Sequence, residues 1–167
     1  IEQIADDVIR FCQAKGIQQA SVIGYSDGGN IALFLAKKAP HLFPKVVAVS
    51  PNTLVSGTED GTLRLIKAVY GVIRFLGKLG FKVKKQLMII DLMLNDIGLS
   101  FNDLNSIKTN VKVLYAEKDM IKEQHIKDIA AAIPGSSLDR IPACTHLNIK
   151  ESPVAVRIMQ EYFGNPR

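Results

Sequence analysis

The sequence predicts an α/β fold with a mostly parallel sheet, and three features of the chain support this prediction. Apolar, β-branched runs alternate with amphipathic helical patterns, as they do in chains built from strand–helix–strand units. The run at 46–49, Val-Val-Ala-Val, is continuously apolar, which is typical of a strand buried on both faces of a parallel sheet. The pentapeptide at 24–28, Gly-Tyr-Ser-Asp-Gly, joins a strand pattern directly to a helix pattern.

The first predicted elements follow from periodicity and from helix breakers. Residues 1–15 carry apolar side chains at helical spacing and are followed by a glycine, which favours a helix stop. A strand over 17–23 leads into the pentapeptide, and a helix over 27–39 ends before a proline. The continuous apolar run gives a second strand over 45–50. This order is that of a strand–helix–strand unit.

The pattern changes after residue 50. No strand is predicted between 52 and 105, where helical patterns cover 62–79 and 83–94 instead. We therefore predict a core formed by two segments and a helical insertion between them: 1–50 and 106–167 for the core, and 51–105 for the insertion.

Strands and helices alternate again after the insertion. A strand over 111–116 is followed by a helix over 123–133, a short strand over 137–141 and a loop over 142–146. Pro153 opens the last helix, which runs to about residue 163, because the fixed φ of proline suits a first helical turn.

Composition and charge exclude several classes of protein. The chain has 167 residues, of which 47% are hydrophobic and 22% charged, so it is able to bury a globular core. It contains no apolar run long enough to span a bilayer and no leader that resembles a signal peptide. The net charge is a modest +5, so nucleic acid is not an indicated partner. We interpret six bases of the insertion as its solvated face, with anion steering as the alternative: Lys67, Arg74, Lys78, Lys82, Lys84 and Lys85.

The cysteine count bears on the cellular setting. Cys12 and Cys144 are the two cysteines, which is too few for a disulfide framework, so a reducing, cytoplasmic setting is expected. We predict no metal site and no cofactor, and a small molecule as the ligand.

The pentapeptide is typical of a nucleophile elbow around Ser26. In such a turn the serine has a strained backbone conformation and its hydroxyl projects from the sheet. We expect Gly24 and Gly28 to be required because a side chain at either position would strike the neighbouring strand or helix. Gly29 lets the first helical turn pack closely. The backbone N–H of Asp27, at the start of the helix, is a candidate donor to an oxyanion.

A serine hydroxyl needs a base within hydrogen-bond reach, and the chain has three histidines. His146 follows the last strand, at the edge of the sheet toward which the elbow also points, so it is the candidate base. His41 leaves the elbow helix on the far side of the sheet, and His125 lies among polar residues of a helix. We predict that these two are exposed.

The candidate acid is Asp119, which ends the strand that begins near residue 111, and Glu117 is its nearest rival. The carboxyl ends of parallel strands meet at one edge of a sheet, where side chains that handle ligands are concentrated. Asp96, Asp103 and Asp139 are less well placed, and we interpret them as capping or solvated residues.

The residues around each candidate resemble the motifs of the α/β-hydrolase family. The elbow with Tyr25 and Gly29, the segment 114–119 and the tripeptide at 145–147 are all similar to family motifs, and the order Ser…Asp…His is the family's order. The resemblance favours Asp119 as the acid. It implies a serine hydrolase that cleaves carboxylic esters or related small acyl substrates through an acyl-enzyme, with the helical insertion as a cap over the site.

The sequence also departs from the family pattern, in which several strands precede the nucleophile. The resemblance implies that those early strands, and the loop with the second oxyanion donor, are missing here. The alternative function is therefore a catalytically silent hydrolase-like fragment that serves binding or assembly. An apolar strand edge next to Ser26 is expected to pair with another chain, which would give either a homodimer or a monomer prone to aggregation. The substrate and the reaction type within the fold stay open.

Overall fold

A computed structural model of the chain describes residues 1–164. Four parallel strands form one sheet, and their spatial order is their order in the sequence, β1-β2-β3-β4. The strands are Ser21–Tyr25 (β1), Lys45–Val49 (β2), Asn110–Lys118 (β3) and Ser137–Thr145 (β4). The predicted fold class, an α/β fold with a parallel sheet, is confirmed.

Helices connect the strands and cover both faces of the sheet. The two helices of the N-terminal part are Glu2–Ala14 (α1) and Asp27–Lys38 (α2). Three more lie between β2 and β3: Asp60–Lys78 (α3), Lys84–Met93 (α4) and Phe101–Asn105 (α5). The last two are Glu123–Ala132 (α6) and Pro153–Phe163 (α7), and short 3-10 helices occupy Val55–Gly57 and Ile149–Glu151.

Several elements differ from the prediction, most clearly β1, α5 and β4. The first strand begins at Ser21 rather than residue 17, since the N–H of Ala20 donates to the carbonyl of Leu42, which lies outside the strands. Helix α5 was not predicted, although Ser100 and Asp103 form a capping box at its start. Strand β4 continues through Pro142 to Thr145, because β4 is an edge strand and tolerates the missing N–H of proline.

Strand β2 is buried on both faces, which explains its continuously apolar sequence. Val46 and Ala48 lie in a buried cluster with α2, whose Phe34 is also fully buried. Val47 and Val49 face the opposite side, in a second cluster that includes residues of α7. Both faces of β2 are therefore shielded from water. Each fully buried valine side chain contributes about 1.5–3 kcal/mol to the free energy of folding.

The insertion after β2 divides into two structurally different parts. Helices α3 and α4 pack on each other, and neither has a buried residue. In contrast, Leu99 and Leu104, at and beside α5, are buried in the main core. Within residues 1–164, no helix is both long and apolar enough to cross a membrane.

The elbow glycines have different steric roles. A β-carbon at Gly24 would overlap the carbonyl of Gly28, and one at Gly29 would lie 3.1 Å from the carbonyl oxygen of Val49. These two glycines therefore allow β1, α2 and β2 to approach closely. A β-carbon at Gly28 would meet no described atom within 4 Å, so the steric requirement predicted for Gly28 is wrong.

His125 is buried, so the prediction that it is exposed is wrong. Its ring has 8% relative exposure and lies on α6 against the segment that follows β2. The backbone N–H of Thr53 donates to Nε2 of His125 over 3.3 Å, and a β-carbon at Gly57 would overlap the ring. Burial lowers the pKa of His125 below its ordinary value. His41 is exposed, as predicted.

Alanine substitutions at Gly24 and Gly28 should affect stability to different extents. Gly24→Ala forces overlap with backbone, so we expect the free energy of unfolding to fall by about 1–3 kcal/mol or more. Gly28→Ala adds a methyl group in open space in the first turn of α2, so we expect a change within about 1 kcal/mol. Urea unfolding measures both variants. Equal destabilisation by the two would contradict this account.

His125 should make folding stability depend on pH. Because the pKa of His125 is lower in the folded protein than in the unfolded chain, only the unfolded chain binds its proton just below the ordinary histidine value. The free energy of unfolding should be maximal above about pH 6.5 and fall as the pH drops below it. His125→Gln should reduce this slope in urea unfolding at a series of pH values. His41→Gln, at an exposed position, is the matched control and should leave the slope as it is.

Candidate active site

The side chains of the candidate site follow three strands at the carboxyl edge of the sheet. Ser26 follows β1, Asp119 follows β3 and His146 follows β4. The register aligns the ends of β1 and β2, because Tyr25 pairs with Val49, and it sets both beside Leu114 in the middle of β3, which continues to Lys118. This alignment places the loops after the strands next to one another, as in other open parallel sheets.

Ser26 has the strained conformation that an elbow requires. Its φ is 55° and its ψ is −120°, which is rare for a residue with a side chain. The N–H of Ser26 donates to the carbonyl of Val49 over 2.9 Å, and the carbonyl of Ser26 accepts from the N–H of Gly29 over 2.8 Å. These bonds hold the serine between β1 and α2, so the tight turn is fixed by both neighbours.

Ser26, His146 and Asp119 are linked by hydrogen bonds. Nε2 of His146 lies 3.1 Å from Oγ of Ser26, and Nδ1 of His146 lies 2.7 Å from Oδ1 of Asp119. The side chains of His146 and Asp119 are only 8% and 3% exposed. A carboxylate accepts hydrogen bonds and does not donate them, so Asp119 favours the tautomer with the proton on Nδ1. The Nε2 lone pair is then directed at the Ser26 hydroxyl.

The carboxylate of Asp119 is held by four hydrogen bonds in all. Beside the bond to His146, Oδ2 accepts from the Ser50 hydroxyl over 2.5 Å and from the N–H of Ala116 over 3.1 Å. Oδ1 accepts from the N–H of Ile121 over 3.1 Å. Burial raises the pKa of Asp119, but the bonds from His146 and Ser50 outweigh it and bring the pKa below its ordinary value. Asp119 is therefore an anion at neutral pH.

Ser50 is a site residue that sequence reasoning missed. It is 1% exposed, has a φ of 49°, and its N–H donates to the carbonyl of Leu114 over 2.7 Å. In the sequence, residue 50 indicated only the point at which the strand–helix pattern ends and the insertion begins. Its place at the carboxyl end of β2, between the ends of β1 and β3, is the signal that could have identified it.

Tyr25 fixes the loop that carries His146, a role beyond its place in the elbow motif. Its hydroxyl donates to the backbone carbonyl of His146 over 2.6 Å, and the two ring centroids are 5.2 Å apart. Burial, and secondarily the negative charge of Asp119, raise the pKa of Tyr25, so the phenol keeps its proton and remains a donor. The elbow strand thus determines the position of both Ser26 and the His146 loop.

Glu117, the alternative acid, has different partners. Its carboxylate accepts from Arg140 over 2.9 Å and from the N–H of Ala143 over 2.8 Å. The three other acids considered were interpreted as capping or solvated residues, which fits Asp103 but not Asp139, since Asp139 is half-buried in an ion pair. Asp96 accepts from the N–H of Val55, Asp103 caps α5 and pairs with Lys37, and Asp139 pairs with Lys112.

The start of α2 lies beside Ser26. Asp27 is the first residue of the helix, so its backbone N–H has no acceptor within α2. The helix dipole adds partial positive charge at this end. An anion that forms at Ser26 would thus find a free N–H and a favourable field at the same place.

A cavity opens over these side chains, and its walls come from both the sheet edge and the insertion. Ser26, Asp27 and His146 lie at one wall. The other residues that line the cavity are uncharged. Seven are apolar, namely Leu54, Val55, Leu92, Met93, Ile97, Met120 and Ile121. Five are polar, namely Asn30, Ser50, Asn52, Thr58 and Asn95. In the described part of the chain, no group of three or more His, Cys, Asp or Glu side chains is arranged to hold a metal ion.

Comparison with known proteins identifies the family pattern in the N-terminal part. Residues 1–74 match the model of a family described as alpha/beta hydrolase fold. These residues include β1, the elbow, α2 and β2. A comparison with curated protein sequences finds no match.

Many solved structures share the fold of this chain at low sequence identity. The protein BpoC of Mycobacterium tuberculosis is 18% identical, with a TM-score of 0.73, and the match covers 97% of this chain and 73% of that one. For a meta-cleavage product hydrolase of Pseudomonas fluorescens the identity is 16%, the TM-score 0.69 and the coverages 95% and 70%. For Est816, an N-acyl homoserine lactone degrading enzyme, they are 21%, 0.68, 98% and 74%. The chain thus spans about three quarters of the length of these structures.

The sequence match of the elbow region and the structural match of nearly the whole chain point to one conclusion. This protein has the α/β-hydrolase fold, and its first 74 residues match that family by sequence.

Proposed function

We propose that this protein is a serine hydrolase that cleaves carboxylic esters or related small acyl substrates through an acyl-enzyme. The observation that supports this most strongly is the chain of hydrogen bonds from Oγ of Ser26 through the ring of His146 to the carboxylate of Asp119. Nucleophile, base and orienting acid are the three groups that such chemistry needs, and their order from hydroxyl to carboxylate is the functional order.

In the proposed acylation step, Nε2 of His146 takes the proton of the Ser26 hydroxyl while Oγ bonds to the substrate carbonyl carbon. The carbonyl π electrons move onto oxygen, which becomes an oxyanion. When the oxyanion collapses, the bond to the leaving alcohol oxygen breaks, and that oxygen receives the proton from His146. Water then repeats the sequence on the acyl-enzyme and releases the carboxylic acid.

Charge stabilisation in this mechanism depends on two groups. Asp119 stabilises the imidazolium that forms at His146, and its lowered pKa keeps it ionised for that purpose. The backbone N–H of Asp27 is the proposed donor to the oxyanion. Loss of one such donor costs about 100- to 1000-fold in rate in a well-studied protease.

Ser50 is a positioning residue in this proposal. Its hydroxyl occupies one lone pair of Oδ2 of Asp119 and so directs Oδ1 toward His146. Oriented carboxylates of this kind hold an imidazole in a single tautomer, which a serine mechanism requires.

The helical insertion over 51–105 is proposed to act as a cap on the core segments 1–50 and 106–167. Leu92 and Met93 of α4 line the cavity over Ser26, together with Leu54 and Ile97 of the same insertion. An apolar wall of this kind favours substrates with an apolar acyl or alkyl group. Among the described residues, the cavity lining includes the acidic residue Asp27 but no lysine, arginine or glutamate, so it offers no cationic anchor for an anionic substrate.

Two of the structural neighbours are consistent with this substrate class. Est816 degrades N-acyl homoserine lactones, and the Pseudomonas fluorescens protein is a meta-cleavage product hydrolase. Since these share the fold at low identity, they support the proposal at the level of hydrolysis and leave the substrate open.

Labelling with a fluorophosphonate probe tests the mechanism. The probe should modify Ser26, and Ser26→Ala should remove the label. His146→Ala should reduce labelling by about 1000-fold or more, because the hydroxyl loses its base. His41→Ala is the matched control, since His41 is exposed and follows α2 away from the site.

Folding must be checked in the same samples by circular dichroism. A folded protein that does not react with the probe, or that reacts equally after His146→Ala, would contradict the enzyme. That result would favour the second function, a catalytically silent hydrolase-like protein used in binding or assembly.

We also propose that two copies pair through β1 in a reducing, cytoplasmic setting. Among the described residues, β1 has one strand neighbour, β2, so its other edge is open. Ile23 of β1 is 55% exposed and borders an apolar groove with Met159 and Phe163 of α7. Such edges pair readily with other strands. Cys12 and Cys144 are buried and form no disulfide, which suits that setting.

Sedimentation velocity over a range of concentrations tests the pairing. The unaltered chain should form a dimer that Ile23→Lys dissociates, because a charge would be buried at the open edge. Phe11→Lys, at another exposed apolar position on α1, is the control and should leave the dimer intact. A monomer at every concentration would contradict the proposed dimer.

A further inference from the structure

We propose that the α3–α4 hairpin, residues 60–93, is a docking surface for an anionic lipid bilayer. Its role would be binding at the membrane surface, separate from the reaction proposed for Ser26. The inference rests on two features of the hairpin that occur together nowhere else in the described chain: exposed apolar side chains and an excess of one charge.

The hairpin concentrates the exposed apolar side chains of the protein. Of the seventeen large hydrophobic residues that are exposed among residues 1–164, ten lie here. Their relative exposures run from 37% to 65%, whereas α3 and α4 have no buried residue at all. The ten are Leu65, Val69, Val72, Phe75, Leu79, Phe81, Met88, Ile89, Leu92 and Met93. Contiguous apolar exposure on this scale indicates a surface with a partner.

The charge of the chain is also concentrated in the hairpin. The hairpin has seven basic residues and two acidic ones, Asp60 and Asp91, so it carries a net charge of +5. Because the whole chain also has a net charge of +5, the remaining residues together are neutral. All seven bases are exposed, and none forms an ion pair among the described residues: Arg64, Lys67, Arg74, Lys78, Lys82, Lys84 and Lys85.

Helical spacing puts the exposed apolar residues of α3 on one stripe. Leu65, Val69, Val72, Phe75 and Leu79 are separated by four, three, three and four positions, so they follow one side of the helix. A different stripe of α3 is half-buried, in keeping with its packing against α4. The exposed stripe is therefore left over after the hairpin has formed its own contacts.

The basic residues of α3 lie beside this exposed stripe. Arg64 immediately precedes Leu65, Arg74 immediately precedes Phe75, and Lys78 immediately precedes Leu79. One residue corresponds to about 100° of rotation around a helix, so these bases occupy the sector on one side of the apolar stripe, with Arg64 nearest to the stripe and Arg74 farthest from it. A helix with apolar residues along one line and bases along its border is suited to the interface of an anionic membrane.

The charge also distinguishes a bilayer from a second copy of this chain. Pairing two hairpins face to face would bring seven positive charges against seven more, with only Asp60 and Asp91 in each hairpin to compensate them, and Asp60 already pairs with Lys122. Like charges facing each other oppose such a contact, whereas the acidic headgroups of a lipid surface complement it. The apolar stripe then enters the boundary between headgroups and acyl chains.

Co-sedimentation with vesicles tests the proposal on the intact chain. We expect binding to vesicles of phosphatidylserine and phosphatidylcholine in equal parts, weak binding to pure phosphatidylcholine, and a decline with added salt because the charges are exposed. Each basic residue near an anionic surface strengthens binding by about fivefold. The triple variant Lys67→Glu, Arg74→Glu, Lys78→Glu should therefore weaken binding by about 100-fold or more.

Two matched controls separate the hairpin from the charge and apolarity of the whole protein. Lys15→Glu, Lys108→Glu, Arg157→Glu makes the same change in net charge at exposed positions elsewhere and should bind nearly as the unaltered chain does. The double variant Phe75→Ser, Leu79→Ser should weaken binding with the net charge unchanged, whereas Phe11→Ser should not.

Three results would overturn the proposal. The first is an absence of binding to the phosphatidylserine vesicles by the folded chain, and the second is equal binding to both vesicle types. The third is equal weakening by the two charge-reversed triple variants. Circular dichroism on each variant ensures that loss of binding is not loss of folding. Since no readout depends on hydrolysis, the docking surface and the serine mechanism can fail independently.

Discussion

The alignment of strand ends at one edge of the sheet is the constraint on which the candidate site depends. Tyr25 and Val49 lie side by side at the ends of β1 and β2, next to Leu114 within β3, so Ser26 and Ser50 enter the same small region, and Asp119 follows the end of β3. Ser26 and Ser50 both have positive φ there, which turns the chain away from the sheet while their backbone N–H groups stay bonded to a neighbouring strand. The strain at these residues is offset by the buried ladder that precedes them.

The site is consequently a single hydrogen-bond network. Its supporting residues determine the positions of Ser26, Asp119 and His146 as much as these three residues do themselves. Tyr25 holds the carbonyl of His146, Ser50 holds Asp119, and Asp119 holds the ring of His146. Each of these bonds joins segments that are far apart in the sequence. Since buried polar groups are costly without partners, the network gives the loops after β1, β2, β3 and β4 one favoured arrangement.

The sequence predicted the elements whose signals are local. The elbow pentapeptide, the apolar run of β2 and the proline that opens α7 all act through neighbouring residues, and the parallel sheet follows from their alternation. Strand ends were less accurate, because β1 and β4 end where pairing with a neighbour stops. His125 was misjudged for a related reason: its neighbours on α6 are polar, but its ring is covered by the segment around Thr53 and Gly57, which is distant in sequence.

Site residues that support rather than react were beyond local reasoning. The place of Ser50 at the end of β2 was its one local signal, and it did not reveal the role of Ser50, because its partner Asp119 is 69 positions away and their contact exists only once β2 and β3 pair. Gly28 shows the opposite error, in which a motif position was given a steric reason that the fold does not supply. The catalytic roles of Ser26, Asp119 and His146 stay a prediction until chemistry tests them.

The insertion contributes residues both to the proposed active-site cavity and to the proposed membrane surface. Leu92 and Met93 belong both to the wall of the cavity over Ser26 and to the exposed apolar surface of the hairpin. The same turn of α4 would therefore contact both the lipid and the substrate in these two proposals. An apolar substrate dissolved in a bilayer could then pass from the lipid to the cavity along the side chains of α4. It would exchange lipid contacts for apolar side-chain contacts and would not have to cross water first. On these two proposals, the bases of the hairpin would attract the membrane and the largely apolar lining of the cavity would admit the ligand.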